Sequence, residues 1–194
     1  MVAGLPRAIG LRLPKAESVE AVRDASTAAP GRALHLLVES ALGLERAYDL
    51  ATATSDVASV GLGEADLRAD LGVTSEDGLS WARGRVVVAA GAAGLPPPAM
   101  AAYTDVRDLD GLAASCRRGR ELGFLGRTAI HPSQLEVIRT AFTPTESEVA
   151  RAREVVARAE DGTAAGHGAV ALPDGRFVDA AVLRQARRVI ALAD

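Results

Sequence analysis

The feature that most constrains this chain is a repeated alternation of short apolar runs and amphipathic stretches. Residues 8–14, 33–40 and 57–63 are β-rich apolar runs, and each is followed by a polar or helical stretch. Weaker runs around 99–103 and 127–131 continue the series. Strands that alternate with helices pair in parallel through right-handed crossovers, so the pattern predicts an α/β fold with about five parallel strands.

The length of the chain limits how this sheet can close. An eight-stranded (β/α) barrel usually needs about 250 residues, and this chain has 194. The pattern therefore predicts part of a (β/α)8 TIM barrel, roughly three strand–helix units short of closure. A doubly wound open sheet is the alternative. No GxGxxG motif follows any predicted strand, which argues against the dinucleotide-binding version of that fold.

The last part of the chain has a different pattern. Residues 168–179 predict a small hairpin with Asp174-Gly175 at its turn, the dipeptide that two-residue hairpin turns favour. A helix over 179–192 follows. We therefore predict two parts, a partial barrel over residues 1–160 and a C-terminal segment over residues 161–194.

Charge and composition exclude several functions. The net charge of −3 is spread along the chain, so the sequence gives no electrostatic footprint for nucleic acid. No apolar run is long enough to span a membrane. The N-terminus lacks the pattern of a secretion signal, so the expected compartment is the cytoplasm. The single cysteine, Cys116, excludes an internal disulfide and a cysteine metal cluster.

Two acidic residues follow consecutive predicted strands. Glu39 ends the run 33–40, and Asp66 lies just beyond the run 57–63. Reactive groups of parallel α/β folds gather at the carboxyl ends of strands, and neighbouring strands lie about 4.8 Å apart. Two carboxylates at such an edge favour a shared Mg²⁺, which takes one or two carboxylates and keeps positions for water and substrate. The alternative is that both acids only interact with helix N-termini.

Three further residues stand at or near predicted strand ends. Lys15, the only lysine, follows the first strand, where a compact ammonium would fit and a guanidinium fork would not. Asp70 lies four residues after Asp66, and we interpret it as an acceptor for a backbone amide. His131 precedes Pro132. We interpret this histidine as a structural hydrogen-bonding residue, with a role as acid or metal ligand as the alternative.

Six motifs resemble, in order, those of the HpcH/HpaI aldolase and citrate lyase beta-subunit family. They are LRLPKAES, LLVESALGLERAYDLA, GLGEADLRADLG, PPPAMAAYTDVRDLDGL, GRTAIHPSQLEVIRTAFTPT and DGRFVDAAVLRQA. The resemblance implies a barrel of the phosphoenolpyruvate-binding type and homo-oligomers, trimers or larger. It also implies magnesium-dependent cleavage of a 3-hydroxyacyl-coenzyme A thioester such as malyl-, citramalyl- or citryl-CoA.

The resemblance assigns roles to four residues. Glu39 and Asp66 match the two magnesium ligands of the family. Lys15 matches a lysine beside the mouth of the active site, where it would help to fix anionic groups of the bound thioester. Asp179 matches an acid of the C-terminal segment that reaches the site of a neighbouring subunit as base. The segment 161–194 is therefore expected to pack on a neighbouring subunit.

The chain also departs from the family pattern. The motifs of the first three barrel strands, including a substrate-binding arginine, have no counterpart, and Arg12 belongs to the next strand. Two functions remain open at this point. The chain is either a carbon–carbon lyase, alone or with a complementary subunit, or a non-catalytic remnant or accessory subunit that lacks the first three strands.

Overall fold

The computed structural model describes residue 6 and residues 8–164, 170–171 and 177–193. The predicted hairpin turn at Asp174-Gly175 lies outside the described residues. The chain divides into two compact units, Met1–Phe142 and Thr143–Asp194. This division places the boundary earlier than residue 160, and the packing of the C-terminal segment on a neighbouring subunit stays a prediction.

Short strands and longer helices alternate through the first unit. The strands are β1 (Leu11–Leu13), β2 (Leu34–Val38), β3 (Val57–Leu62), β4 (Ala99–Met100) and β5 (Gly126–Arg127). The helices are α1 (Val19–Ala28), α2 (Ala41–Glu45), α3 (Ala47–Ala51), α4 (Glu64–Leu71), α5 (Ser80–Ala92), α6 (Leu109–Glu121) and α7 (Gln134–Phe142). A 3₁₀ turn, Asp77–Leu79, leads into α5.

All strand pairs of this unit are parallel, as the alternation predicts. Strands β1, β2 and β3 form one sheet in sequence order, and β4 pairs with β5 in a second. The five parallel strands with interleaved helices confirm the α/β fold and the five strand–helix units. Among the described residues β1, β3, β4 and β5 each have a hydrogen-bonded partner strand on one side only, and β3 and β4 lie in contact with each other.

The core of the first unit forms because the strands and helices bury alternating apolar side chains. In β2, Leu34, Leu36 and Val38 are fully buried, whereas His35 and Leu37 on the opposite face are half-buried. The buried residues of α5 and α6 pack in the same apolar core. This core fixes the position of the strand ends, where the conserved chemistry of parallel α/β folds is found.

Helix α4 covers residues 64–71 and so includes both Asp66 and Asp70. Gly72 ends the helix in the left-handed conformation, with φ 65°, which glycine adopts without steric cost. The segment after β2 forms two short helices, α2 and α3, that meet at Arg46. The Arg46 side chain donates to the backbone oxygen of Glu17 at 2.9 Å.

The predicted strand 127–131 is wrong beyond Arg127, because a buried side chain takes over the hydrogen bonds of that segment. Gln134 is fully buried. Its Oε1 accepts from the amide of Ile130 at 2.9 Å, and its Nε2 donates to the carbonyl of Tyr103 at 2.8 Å. These two bonds connect the loops that follow β5 and β4.

The second unit contains α8 (Glu146–Ala164), the antiparallel pair β6 (Val170–Ala171) and β7 (Phe177–Val178), and α9 (Ala180–Ala191). Thr145 and Glu148 cap α8 reciprocally, since each accepts a hydrogen bond from the other's backbone amide. Ala152, Val155 and Ala186 are buried in the core between α8 and α9. No helix in the described part of the chain has the length and apolarity that crossing a membrane requires.

Candidate metal centre

A cavity of about 660 Å³ lies in the first unit where β2, β3 and β4 end. Its wall includes Glu39 after β2, the first turn of α4 after β3, and residues 101–104 after β4. The cavity therefore lies at the edge where parallel α/β folds hold their reactive groups. All of its lining residues belong to the first unit.

Glu39 is a buried acid in this wall, with 8% of its surface exposed. Within the described part of the chain, no hydrogen bond or ion pair to its carboxylate is found. Its carboxylate oxygens are not among the fully buried side-chain atoms that lack a partner, so they are open to the cavity. The Glu39 side chain lies directly against Gly63, where an added Cβ would stand 2.7 Å from the Glu39 Oε1. Only glycine leaves Glu39 in this position.

Asp66 lies in the first turn of α4 and is exposed toward the same cavity. The helix dipole favours a negative charge at this end of a helix. The amide of Gly63, the residue before α4, donates to the carbonyl of Val38 at 2.9 Å. The start of α4 is thereby held beside the residue that precedes Glu39, and the two predicted carboxylates border one cavity.

Asp70, near the end of α4, connects this helix to the start of α2. Its Oδ2 accepts from the amide of Ala41 at 2.7 Å, so the interpretation of Asp70 as an acceptor for a backbone amide is confirmed. Ala41 begins α2, and Ser40 caps that helix by accepting from the amide of Gly43. Helix α4 is therefore connected to the segment that carries Glu39 at two points.

A buried network of charged side chains connects α4 to α5. Arg83 of α5 is 1% exposed. Its Nε and Nη2 donate to the two carboxylate oxygens of Glu64 at 2.7 and 2.6 Å, and Nη2 also donates to Glu76 at 2.8 Å. Arg68 completes the network by pairing with Glu76.

The electrostatics of this network follow from its contacts. Burial would lower the pKa of Arg83, but the hydrogen bonds and charges of Glu64 and Glu76 outweigh burial and raise it. Burial acts to raise the pKa of Glu76, and the contacts with Arg83 and Arg68 bring it below its ordinary value.

The sequence analysis missed Arg83 and Glu64. The available signal was an arginine among the apolar residues of the stretch 80–92.

Two further cations line the cavity. Arg12 lies on β1 and is exposed. Arg127 lies with its guanidinium 5.6 Å from the centre of the Tyr103 ring, and its Nη2 donates to the Ser115 hydroxyl at 2.9 Å. Its Nε is buried and has no hydrogen-bond partner in the described structure. Burial lowers the pKa of Arg127 more than nearby acids raise it.

Lys15 and Asp179 are not brought to the cavity by the described contacts. Lys15 is exposed at the end of β1 with φ 50°, a left-handed conformation that is uncommon outside glycine. It is absent from the described residues that line the cavity. Asp179 belongs to the second unit and caps α9, where its Oδ1 accepts from the amides of Ala181 and Val182. These hydrogen bonds lower the pKa of Asp179. The catalytic roles of both residues stay predictions.

The two histidines whose positions the structure describes, His131 and His35, make local hydrogen bonds. The Nδ1 of His131 lies 2.8 Å from the Ser133 hydroxyl and 3.2 Å from the Ser133 amide, as the structural interpretation of this residue predicts. The Nδ1 of His35 lies 2.8 Å from the hydroxyl of Ser59 on the neighbouring strand. Both rings therefore have partners within their own segment or sheet.

The donor set at the cavity suits a hard cation. Magnesium prefers oxygen ligands and needs only one or two protein carboxylates, because water and substrate fill its other positions. Among the described residues, no group of three or more histidines, cysteines or acids is arranged to hold a metal ion. Glu39 without a protein partner, beside Asp66 at a helix N-terminus, fits such a two-carboxylate site.

Comparison with known proteins supports the fold and shows the family of the chain. The family model described as HpcH/HpaI aldolase/citrate lyase matches residues 7–132. The chain is 31% identical over 201 residues to the L-malyl-CoA/beta-methylmalyl-CoA lyase of Rhodobacter capsulatus, covering 91% of this chain and 63% of that protein. It is 33% identical over 204 residues to the mitochondrial citramalyl-CoA lyase of Rattus norvegicus, covering 94% of this chain and 60% of that protein.

Solved structures show the same architecture. The CitE protein of Mycobacterium tuberculosis, in complex with magnesium, acetoacetate and coenzyme A, superimposes with a TM-score of 0.80 at 32% identity. The match covers 94% of this chain and 67% of that one. The chain thus spans about 63% of the length of a curated relative such as the Rhodobacter lyase. By its family match and its similarity to these relatives, the chain belongs to the HpcH/HpaI aldolase/citrate lyase family.

Proposed function

We propose that this chain contributes the metal-binding part of a carbon–carbon lyase that cleaves 3-hydroxyacyl-coenzyme A thioesters. The observation that carries the proposal is the pairing of Glu39, buried without a described partner, with Asp66 at one cavity. Relatives named as malyl-CoA and citramalyl-CoA lyases support the substrate class. The CitE complex with magnesium and coenzyme A supports the metal.

Glu39 and Asp66 would hold the magnesium ion through their carboxylate oxygens. When bound there, magnesium would supply Lewis-acid chemistry, polarising a substrate oxygen and stabilising negative charge on it. Gly63 keeps the Glu39 carboxylate at the cavity wall, and the α4 dipole supports the charge of Asp66. The protein's contribution is thus to hold two oxygen donors at a strand edge that substrate can reach.

Cleavage requires two proton transfers. A base takes the proton of the substrate hydroxyl as the carbon–carbon bond breaks, which leaves a keto acid and a thioester enolate. The enolate carbon then gains a proton to give the acyl thioester. We assign the exchange with this carbon to Asp179, from a neighbouring subunit of a homo-oligomer, and the fixing of anionic groups to Lys15. The hydrogen bonds that cap α9 lower the pKa of Asp179 and favour its ionised form. To protonate the enolate carbon, Asp179 would therefore first take up a proton, such as the one released by the substrate hydroxyl.

The test is cleavage of malyl-, citramalyl- and citryl-CoA by the purified chain, each with magnesium and with a chelator. We expect magnesium-dependent release of a keto acid from at least one thioester. Asp66→Asn should abolish the activity, whereas Asp110→Asn, an exposed acid in the first turn of α6, should not. Turnover that persists in chelator, or in Asp66→Asn, would overturn the assignment.

One observation favours a second candidate, an accessory or remnant role. Within the described structure, β1, β3, β4 and β5 each have a hydrogen-bonded neighbour on one side only, and β3 and β4 lie in contact with each other. The outer sides of β1 and β5 are therefore open parallel edges, and open edges bind other strands. A complementary subunit or segment that supplies the missing strands would cover both edges. A folded sample that cleaves none of the three thioesters alone, but does so with such a segment added, would establish a dependent role.

A further inference from the structure

The position of Asp66 is not secured by its own helix. Helix α4 begins at Glu64, and its N-cap residue, Gly63, has no side chain that could cap the helix. The first turn of α4 therefore lacks the local hydrogen bond that usually fixes a helix start. Contacts with other elements have to hold this turn, and with it Asp66, in place.

Besides the bond from the Gly63 amide to the Val38 carbonyl, the contact that holds this turn is the pair between Glu64 and Arg83. Glu64 is the first residue of α4, two positions before Asp66. Arg83 binds both of its carboxylate oxygens, at 2.7 and 2.6 Å, from a helix whose neighbouring residues are buried in the core. A bidentate arginine–carboxylate pair fixes direction as well as distance, so it sets both the position and the orientation of the first turn.

Arg83 also binds Glu76, which lies in the segment between α4 and α5. Its Nη2 donates to Glu76 at 2.8 Å, and Arg68 of α4 pairs with that same carboxylate. Arg68 donates in addition to the carbonyl of Ser75 at 2.9 Å. Four charged residues of alternating sign thus connect α4 to α5, with the buried Arg83 at the centre.

We propose that Arg83 and Glu64 are positioning residues for the cation site, because they hold Asp66 at the distance from Glu39 that one shared magnesium ion requires. This inference rests on the proposed function, which assigns the magnesium to Glu39 and Asp66. Neither Arg83 nor Glu64 needs to touch the metal. Residues that orient metal ligands change affinity by roughly 10- to 100-fold when they are substituted.

The test measures magnesium affinity by calorimetric titration at a temperature where each variant is folded by circular dichroism. We expect Glu64→Gln and Arg83→Lys to weaken magnesium binding at least about tenfold. The lysine variant keeps the charge but loses the bidentate fork. Glu136→Gln is the control, since it removes an exposed glutamate that pairs with Arg139 on α7 and does not line the cavity. Its affinity should stay within about twofold of the original chain.

The outcomes separate this inference from the proposed function. If Asp66→Asn removes magnesium binding and Glu64→Gln and Arg83→Lys do not weaken it, the positioning role is wrong and the metal site stands. If Glu136→Gln weakens binding as much as Glu64→Gln, the effect is not specific to the pair with Arg83 and the inference also fails. If the original chain binds no magnesium, or binds it equally after Asp66→Asn, the proposed metal site itself is wrong.

Discussion

Replacing Gly63 by alanine tests the contact on which the candidate metal centre depends. An added Cβ would lie 2.7 Å from Glu39 Oε1 and 2.9 Å from Glu39 Cδ. Carbon atoms attract each other at about 3.5–4.0 Å, so these contacts are strongly repulsive. The backbone at Gly63, with φ −93° and ψ 83°, is open to alanine. The whole effect should therefore come from displacement of the Glu39 carboxylate.

The expected magnitudes differ for stability and for metal binding. Overpacking of a buried position costs about 1–3 kcal/mol, and the lower end applies where a flexible side chain can rotate away. Rotation of Glu39 removes one of two ligands, so magnesium affinity should fall by at least about tenfold, which corresponds to about 1.4 kcal/mol of binding free energy. The measurements are urea denaturation followed by circular dichroism and calorimetric titration with magnesium.

Gly61→Ala is the matched control for this prediction. Gly61 lines the same cavity two residues earlier, on β3, but its added Cβ would meet only Ala99 O, at an ordinary 3.8 Å. We expect its magnesium affinity to stay within about twofold of the original chain, since a contact at that distance displaces nothing. The reasoning is refuted if Gly63→Ala binds magnesium as tightly as the original chain, or if both variants lose affinity equally.

Three further predictions concern stability. Gly84→Ala should raise the free energy of unfolding by about 0.5–1 kcal/mol in a thermal melt, because the added Cβ of this α5 residue has no heavy atom within 4 Å; a lower melting temperature would contradict it. Gln134→Leu should lower the free energy of unfolding in urea by about 1–3 kcal/mol, because two backbone groups lose their partner; an unchanged midpoint would contradict it. The depressed folded-state pKa of Asp179 means that its cap stabilises α9 above the ordinary pKa of 3.8 and is lost as the pH falls through the folded value. Asp179→Ala should therefore lower the melting temperature at pH 7 and not well below that pKa, and an equal loss at both would contradict the capping role.

The strand–helix alternation and the strand-end acids could be read from the sequence because both follow local rules. Apolar periodicity gave the parallel strands, and the rule that chemistry lies at their carboxyl ends selected Glu39 and Asp66. The role of Asp70 was also predictable, because an acid at that spacing has few other uses. These inferences need only the order of residues along the chain.

The remaining features depend on contacts between distant segments, which no local pattern specifies. Strand β5 ends at Arg127 because the side chain of Gln134, seven residues later, bonds the amide of Ile130 and the carbonyl of Tyr103 in the loops after β5 and β4. The local pattern around Arg83 is that of a solvated charge on a helix. The side chain is buried instead, because Glu64 of α4 pairs with it. Propensity alone could not place α4, because Gly72 ends it and the pair with Arg83 holds its first turn.

The central claim is that Glu39 and Asp66 share one divalent cation. The most direct measurement is a crystal structure of the chain soaked in manganese, which replaces magnesium and gives an anomalous signal. The account predicts one anomalous peak that contacts a carboxylate oxygen of Glu39 and one of Asp66, at roughly the 2.0–2.6 Å typical of hard cations and oxygen ligands. A cavity without such a peak at saturating manganese, or a peak bound to other residues, would contradict the account.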